Sequence, residues 1–348
     1  MKVLVYIDKS DVRGGIEIFA ERQVARLRAE GHDVDVSSTP AQICICGNDG
    51  NCEQLGFVNN YDEIIVHKCA SVATLEMFPP EKTVCYIHDH EPICPRTYAY
   101  TPLGRNCARP GGIWPCAFCA PLCRGWKGAI VRVLTQRRRL RALSKFKKLV
   151  VISQFMKSRL VANGLPAEKI VVEPPNLDVL NAESQRSRES NSSTISASLR
   201  LCVEKIDLLY VGQLIRGKGV HLLLTAMARM RTPRTLDIVG TGTMEAKLKA
   251  QAAQLGLDGR VRFHGFQPNP QEWMLRATCV VVPSFWQEPY GLVAAEAVAL
   301  GCRVVAFAIG GLPEACDGKA TLVPPGDITA LATALDDSGP SSKESLQW

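Results

Sequence analysis

No apolar run in this chain of 348 residues approaches the ~18 needed to cross a bilayer, which excludes membrane-spanning helices on hydropathy. A secretory leader is not expected either. Met1–Asp8 turns polar too soon for one, so the expected location is cytoplasmic. Without an export signal, the 14 cysteines are expected as reduced thiols rather than as a disulfide framework. One charge sign is absent locally: from Pro92 to Ala167 there is no Asp or Glu, while 15 Lys and Arg fall there. With a whole-chain charge of +7, the remainder is net −8.

Within the acid-free stretch, Gln136–Lys148 places Leu140, Leu143 and Phe146 on one side of a helix and cations on the other. That pattern suits docking on anionic headgroups at the inner face of a membrane, with the apolar side inserted or packed on the domain. A solvated helix face is the alternative. No nucleic-acid partner is expected, because no nucleic-acid-binding module accompanies the charge. The same region holds Cys94, Cys107, the pair Cys116 and Cys119, and Cys123, in a loop rich in Pro and Gly. Thiolates so grouped can form a structural zinc site that orders a loop without a core, and free thiols are the alternative. Cys44, Cys46 and Cys52 are a weaker candidate for the same role.

The rest reads as two α/β series. Short runs rich in Val and Ile, at Lys2–Ile7, His32–Val36, Glu63–Val66, Lys82–Ile87, Lys148–Ile152 and Ile170–Val172, suit a parallel sheet covered on both faces. A second set follows at Leu208–Val211, Leu236–Val239, Val261–Phe263, Val280–Pro283, Arg303–Phe307 and Leu322–Val323. Between the sets, residues 179–200 are Ser-rich and nearly devoid of large apolar side chains, as in a linker. The expected organisation is α/β: two Rossmann-like, doubly wound domains, residues 1–178 and 201–348, facing a central cleft with a ligand at the carboxyl ends of their strands.

Chemistry-bearing residues recur where strands give way to helices. Gly14 and Gly15 precede the first helix, where backbone amides can approach a diphosphate or an acceptor. In the second half, Gly212 to Gly219 forms a glycine loop carrying Arg216 and Lys218, cations suited to a departing diphosphate. Gly240 and Gly242 end the next strand, and Phe263 and Gly265 the one after, loops suited to a nucleotide base. Glu288 and Glu296 bracket a strand end, a turn and a helix start. Their carboxylates can accept hydrogen bonds from vicinal hydroxyls, while the amides of Tyr290, Gly291 and Leu292 can face an anion. Hydroxyls beside phosphate indicate a nucleotide sugar.

From Tyr210 through Asp327, these motifs together resemble the retaining glycosyltransferases of family 4: the glycine–lysine loop, Gly240-x-Gly242, Pro283-Ser284, Glu288-Pro-x-Gly-Leu292, Glu296 and the closing Leu322–Asp327. The resemblance implies a GT-B fold, with a nucleotide-diphosphate sugar held by the second domain and a saccharide or lipid-linked saccharide acceptor by the first. It implies that Glu288 contacts sugar hydroxyls, Glu296 the ribose and Lys218 the diphosphate, and that His88 faces the transferred sugar. It further implies hexose transfer with retention, no obligatory cofactor or metal, and a place in cell-surface polysaccharide or lipopolysaccharide assembly. Gln213 stands where the family carries an arginine, which leaves Arg216 as the substitute cation. A nucleotide-sugar epimerase or hydrolase, or a non-catalytic nucleotide-sugar-binding protein, would share the architecture.

Overall fold

The computed structural model describes residues 1–8, 15–38, 45–46, 52–53, 58–69, 71–94, 106–107, 116, 121–177 and 205–338. The linker expected at 179–200 lies outside them, as do Gly14 and Cys119. The chain divides into two compact units, Met1–Pro175 and Asn176–Trp348.

Unit 1 runs β1 (Lys2–Ile7), α1 (Gly15–Ala29), β2 (Asp33–Ser37), a small pair β3 (Ile45–Cys46) and β4 (Cys52–Glu53), β5 (Glu63–Lys68), α2 (Val72–Glu76) and β6 (Thr83–Ile87). It continues with α3 (Pro121–Lys145), β7 (Lys148–Val151), α4 (Gln154–Val161) and β8 (Ile170–Val172). Six strands form one parallel sheet in the order β2-β1-β5-β6-β7-β8. Alternate side chains feed two cores, as the period of a strand dictates. Leu4, Tyr6, Ile64, Val66, Leu149 and Val151 pack on one face with Leu143 of α3 and Met156 of α4. Val3, Val5, Ile65, Val84 and Val150 pack on the other with Val24 of α1. Continuous Val/Ile runs are therefore what a sheet covered on both sides requires.

The basic segment is the end of α3, and its apolar side is packed on the domain: Leu143 and Phe146 are buried in the core and Leu140 lies against it. Of the two fates expected for that side, insertion in lipid is thereby ruled out. Its cations are also not all outward. Arg139 is buried and pairs with Glu91 at 2.7 Å, and Arg138 pairs with Glu76 of α2. Arg137, Arg141 and Lys145 are exposed, as is Leu134. Among the described residues no helix is long and apolar enough to cross a membrane.

Unit 2 runs β9 (Ile206–Val211), α5 (Val220–Met227), β10 (Leu236–Val239), α6 (Glu245–Gln254), β11 (Val261–Phe263), α7 (Pro270–Arg276), β12 (Ala277–Val282), α8 (Leu292–Ala299), β13 (Arg303–Phe307), α9 (Leu312–Cys316), β14 (Thr321–Val323) and α10 (Ile328–Asp337). Its strands are parallel in the order β11-β10-β9-β12-β13-β14, the doubly wound order whose direction reverses between β9 and β12. The loops leaving these two strands therefore diverge around a crevice.

Glycine lets those loops touch. Gly219 has φ +74, and a Cβ there would lie 1.8 Å from the Pro283 carbonyl oxygen. One on Gly240 would lie 2.0 Å from that of Gly212. Gly219→Ala is expected to destabilise unit 2 by about 3 kcal/mol or more, since both the left-handed backbone and the backbone neighbour oppose it. Gly256→Ala, at φ +65 with nothing within 4 Å of the added Cβ, is expected to cost only about 1–2 kcal/mol. Urea denaturation of both variants, followed by circular dichroism, measures the difference.

Candidate functional site

The β9 loop reaches the β12 loop through backbone contacts: the amides of Phe285 and Trp286 donate to the Gly217 carbonyl at 3.1 and 3.3 Å. Gly217 is buried, and a Cβ there would meet the Trp286 ring at 3.1 Å. This approach sets Lys218 Nζ 2.6 Å from Glu288 Oε1. The same oxygen accepts from Ser284 Oγ and from Trp286 Nε1, each at 2.7 Å. Lys218 also lies over the Trp286 ring, 5.2 Å from its centroid. From the other side, Gly311 N donates to the Glu288 carbonyl at 2.8 Å, and Gly310 sits so close that a Cβ would be 2.4 Å from it.

Glu288 is only 5% exposed. Burial alone would raise its pKa, but Lys218, helped by the Ser284 and Trp286 donors, holds the carboxyl below the usual range, so it is ionised at neutral pH. Lys218 has three N–H donors and directs one at Glu288, so the ammonium retains capacity for a second anion. Arg216, two residues earlier, is exposed and makes no ion pair among the described residues. Gln213 is also exposed, while its carbonyl accepts from the buried Tyr210 hydroxyl at 2.9 Å.

Glu296, one turn into α8, accepts from Gln271 of α7 at 3.3 Å. Gly291, at φ +113, caps that helix, and Leu292 begins it with the amides a first turn leaves unpaired. Tyr290 is buried beside them. The remaining glycines lace neighbouring loops together. Gly240 N donates to the Gly265 carbonyl at 2.7 Å, Gly212 N to Val239 at 3.0 Å and Leu214 N to Thr241 at 2.8 Å. A Cβ on Gly242 would lie 2.5 Å from the Leu214 carbonyl oxygen. Phe263 lies under Lys249, whose Nζ is 5.3 Å from the ring centroid, and Phe266 beyond it is 71% exposed.

A family model described as glycosyl transferases group 1 matches residues 191–342. The matched residues fall within unit 2. The chain is 40% identical over 136 residues to a glycogen synthase of Mycobacterium tuberculosis, covering 37% of this chain and 33% of that protein. It is 37% identical over 161 residues to the D-inositol 3-phosphate glycosyltransferase of Kribbella flavida, covering 41% and 38%. The chain thus matches well under half the length of these curated relatives. Among solved structures, Anabaena HepE in complex with UDP and glucose superposes with a TM-score of 0.65 at 20% identity, covering 99% of this chain and 91% of that one. WaaG, a glycosyltransferase involved in lipopolysaccharide biosynthesis, does so with a TM-score of 0.60 at 20% identity, covering 97% and 90%. The fold is of the GT-B class, and the match to the group 1 model lies in its second unit.

In unit 1, His88 follows β6, and its Nε2 lies 3.1 Å from Nδ1 of His67 on β5. Gly15 opens α1. Of the five cysteines expected to bind zinc, Cys94, Cys107 and Cys116 are described, whereas Cys119 and the Cys123 side chain are not. Among the described residues, no three His, Cys, Asp or Glu side chains are gathered for a metal. Cys46 and Cys52 are register partners across β3 and β4, and Cys44 lies outside the described residues. Sequence reasoning missed Trp286, Gln271 and His67, and named Ser284 only within a motif, without a role. Ser284 and Trp286 sit four and two residues before Glu288, and His67 at a strand's carboxyl end, positions that were readable. Nothing in the sequence marks Gln271.

Lys218→Met is expected to leave Glu288 as a buried carboxylate without a counter-charge. Its pKa should rise, and unit 2 should lose about 3–5 kcal/mol at pH 7, measured by urea denaturation. Burial pushes the His88 imidazole down to about 4, and burial with the neighbouring His88 pushes His67 down to about 3. Both bases are neutral when folded and of ordinary basicity when unfolded. The stability they support is therefore complete at pH 7 and drains away as pH falls from about 6.5 through these values. His67→Phe should flatten the fall in urea midpoint between pH 7 and pH 4. An unaltered slope would contradict the burial reading.

Proposed function

We propose that this protein is a retaining hexosyltransferase that moves a sugar from a nucleotide-diphosphate donor to a saccharide or lipid-linked saccharide acceptor. The observation that carries the reading is the Lys218–Glu288 pair at the strand-order reversal of unit 2, the place where doubly wound sheets bind nucleotides. A carboxylate held ionised there accepts hydrogen bonds from sugar hydroxyls. Lys218 and the unpaired Arg216 neutralise the diphosphate as the glycosidic bond to it breaks. Glu296, steadied by Gln271, is the ribose contact. Gly212, Gly240, Gly242, Phe263 and Gly265 shape the wall for the base, and the amides of Gly291 and Leu292 face the anionic end. HepE, solved with UDP and glucose, supports a nucleotide-sugar ligand for a chain of this fold.

Unit 1 takes the acceptor in this reading, through Gly15 at the start of α1 and its sequence neighbour Gly14, with His88 toward the transferred sugar. The exposed Arg137, Arg141 and Lys145 of α3 supply a cationic surface for anionic headgroups at the inner face of the membrane. Leu134 is exposed on the same helix. Assembly of surface polysaccharide or lipopolysaccharide fits such a location, and the reaction requires no metal.

Purified protein incubated with a panel of nucleotide sugars and lipid-linked or free saccharides should release nucleotide only when an acceptor is present. Release without acceptor would mark a hydrolase, and no binding of any donor would sink the reading. Glu288→Gln is expected to lower kcat/KM by roughly 10²–10³-fold. Glu296→Gln should act mainly on donor KM.

A further inference from the structure

His67 and His88 form a dyad that the glycine loops and the acidic pair do not explain. Their ring centroids are 5.4 Å apart with planes 20° from parallel, and the nitrogen contact is 3.1 Å. The rings therefore lie end to end, nearly in one plane, joined by an in-plane N–H···N bond rather than by a face contact. Side chains of β6 and α1 hold this arrangement. Tyr86 of β6 lies against His67, with centroids 4.8 Å apart and planes 27° from parallel. Its hydroxyl accepts from Gln23 of α1 at 2.6 Å and donates to Glu173 at 3.2 Å. Phe19 of α1 sets its edge against His67 and His88 at 5.8 and 5.2 Å.

Only one proton can occupy the shared contact, and the surroundings of His67 decide which ring supplies it. His67 is 3% exposed, and its Nε2 has no hydrogen-bond partner among the described residues. If His88 donated, neutral His67 would carry its proton on Nε2, as a buried N–H without an acceptor. Orphaned buried donors are rarer than under-satisfied acceptors. The lower-energy arrangement has His67 Nδ1–H donating, His88 Nε2 accepting, and the remaining His88 proton on Nδ1. His88 Nδ1 makes no hydrogen bond among the described residues, and the residue as a whole is not fully buried.

We propose that His67 is a positioning residue that locks His88 as the Nδ1-protonated neutral imidazole. With Nε2 occupied, His88 offers substrate a single polar atom, the Nδ1–H donor. It then orients an oxygen of the transferred sugar and does not act as the base that deprotonates the acceptor. This last step rests on the glycosyl-transfer reading, whereas the tautomer does not.

Nitrogen-15 NMR of the histidine-labelled full chain without substrate tests the lock directly, with the His88 signals identified by their loss in His88→Gln. The expected result is protonated Nδ1 and unprotonated Nε2. Protonated Nε2 on His88 would overturn the proposal. His67→Phe, which keeps an aromatic ring against Tyr86, should release His88 to exchange between tautomers. His67→Asn, whose amide can donate from the Nδ1 position, should retain the lock. With a turning-over donor, His67→Phe is expected to lower kcat by about 10–100-fold, the usual effect of losing an orienting partner, with donor KM within about twofold and rescue by His67→Asn. Normal kcat in His67→Phe would overturn the positioning role while leaving glycosyl transfer intact. The expected tautomers in a protein that turns over no donor would sustain the lock and sink the functional reading.

Discussion

Close approach of backbone to backbone is the constraint on which unit 2 rests. The loop after β9 can lie against the loop after β12 only because Gly219 carries no Cβ where the Pro283 carbonyl stands, and because Gly217 leaves room for the Trp286 ring. Everything chemical at that edge follows from the fit. Lys218 is brought to Glu288, Trp286 and Ser284 converge on the same carboxylate oxygen, and Gly310 and Gly311 close on the Glu288 backbone. The carboxylate is buried, yet it stays charged because a cation and two neutral donors meet it there.

Unit 1 solves a different problem, that of polar groups inside an apolar layer. His67 alternates with Ile65 along β5 and so shares its face with the core of Val3, Val5 and Val24, where an imidazole needs a partner. It finds one in His88 rather than in backbone. On the opposite face, Arg139 is buried and meets Glu91. The acid-free stretch is thus not wholly a surface: one of its cations serves the inside of the fold.

Much of this architecture was legible because it rests on local signals. Short runs, most of them rich in apolar residues, marked all twelve strands of the two large sheets to within a few residues, and glycines after strands marked the loops of the carboxyl edge. The pairing of Lys218 with Glu288 was less accessible, since the two are 70 residues apart and meet only through strand order. Gly240 and Gly242, read as ligand-binding loops, sit where a Cβ would collide with a neighbouring loop, a packing role that a glycine pattern cannot separate from binding. The polar partners Gln271 and His67 were missed for a related reason. A hydrogen bond between side chains of different elements leaves no periodic trace in sequence.

The same separation bears on how the protein is made. A contact spanning 70 residues has to overcome the entropy of closing that loop, and long-range parallel pairing forms slowly. During synthesis, β9 emerges well before β12, and the crevice between their loops does not exist until the later strand docks beside the earlier one. A ligand seated on Lys218 and Glu288 binds only the finished sheet. It would therefore draw the folding equilibrium forward by mass action, stabilising the second unit as any ligand of the native state does.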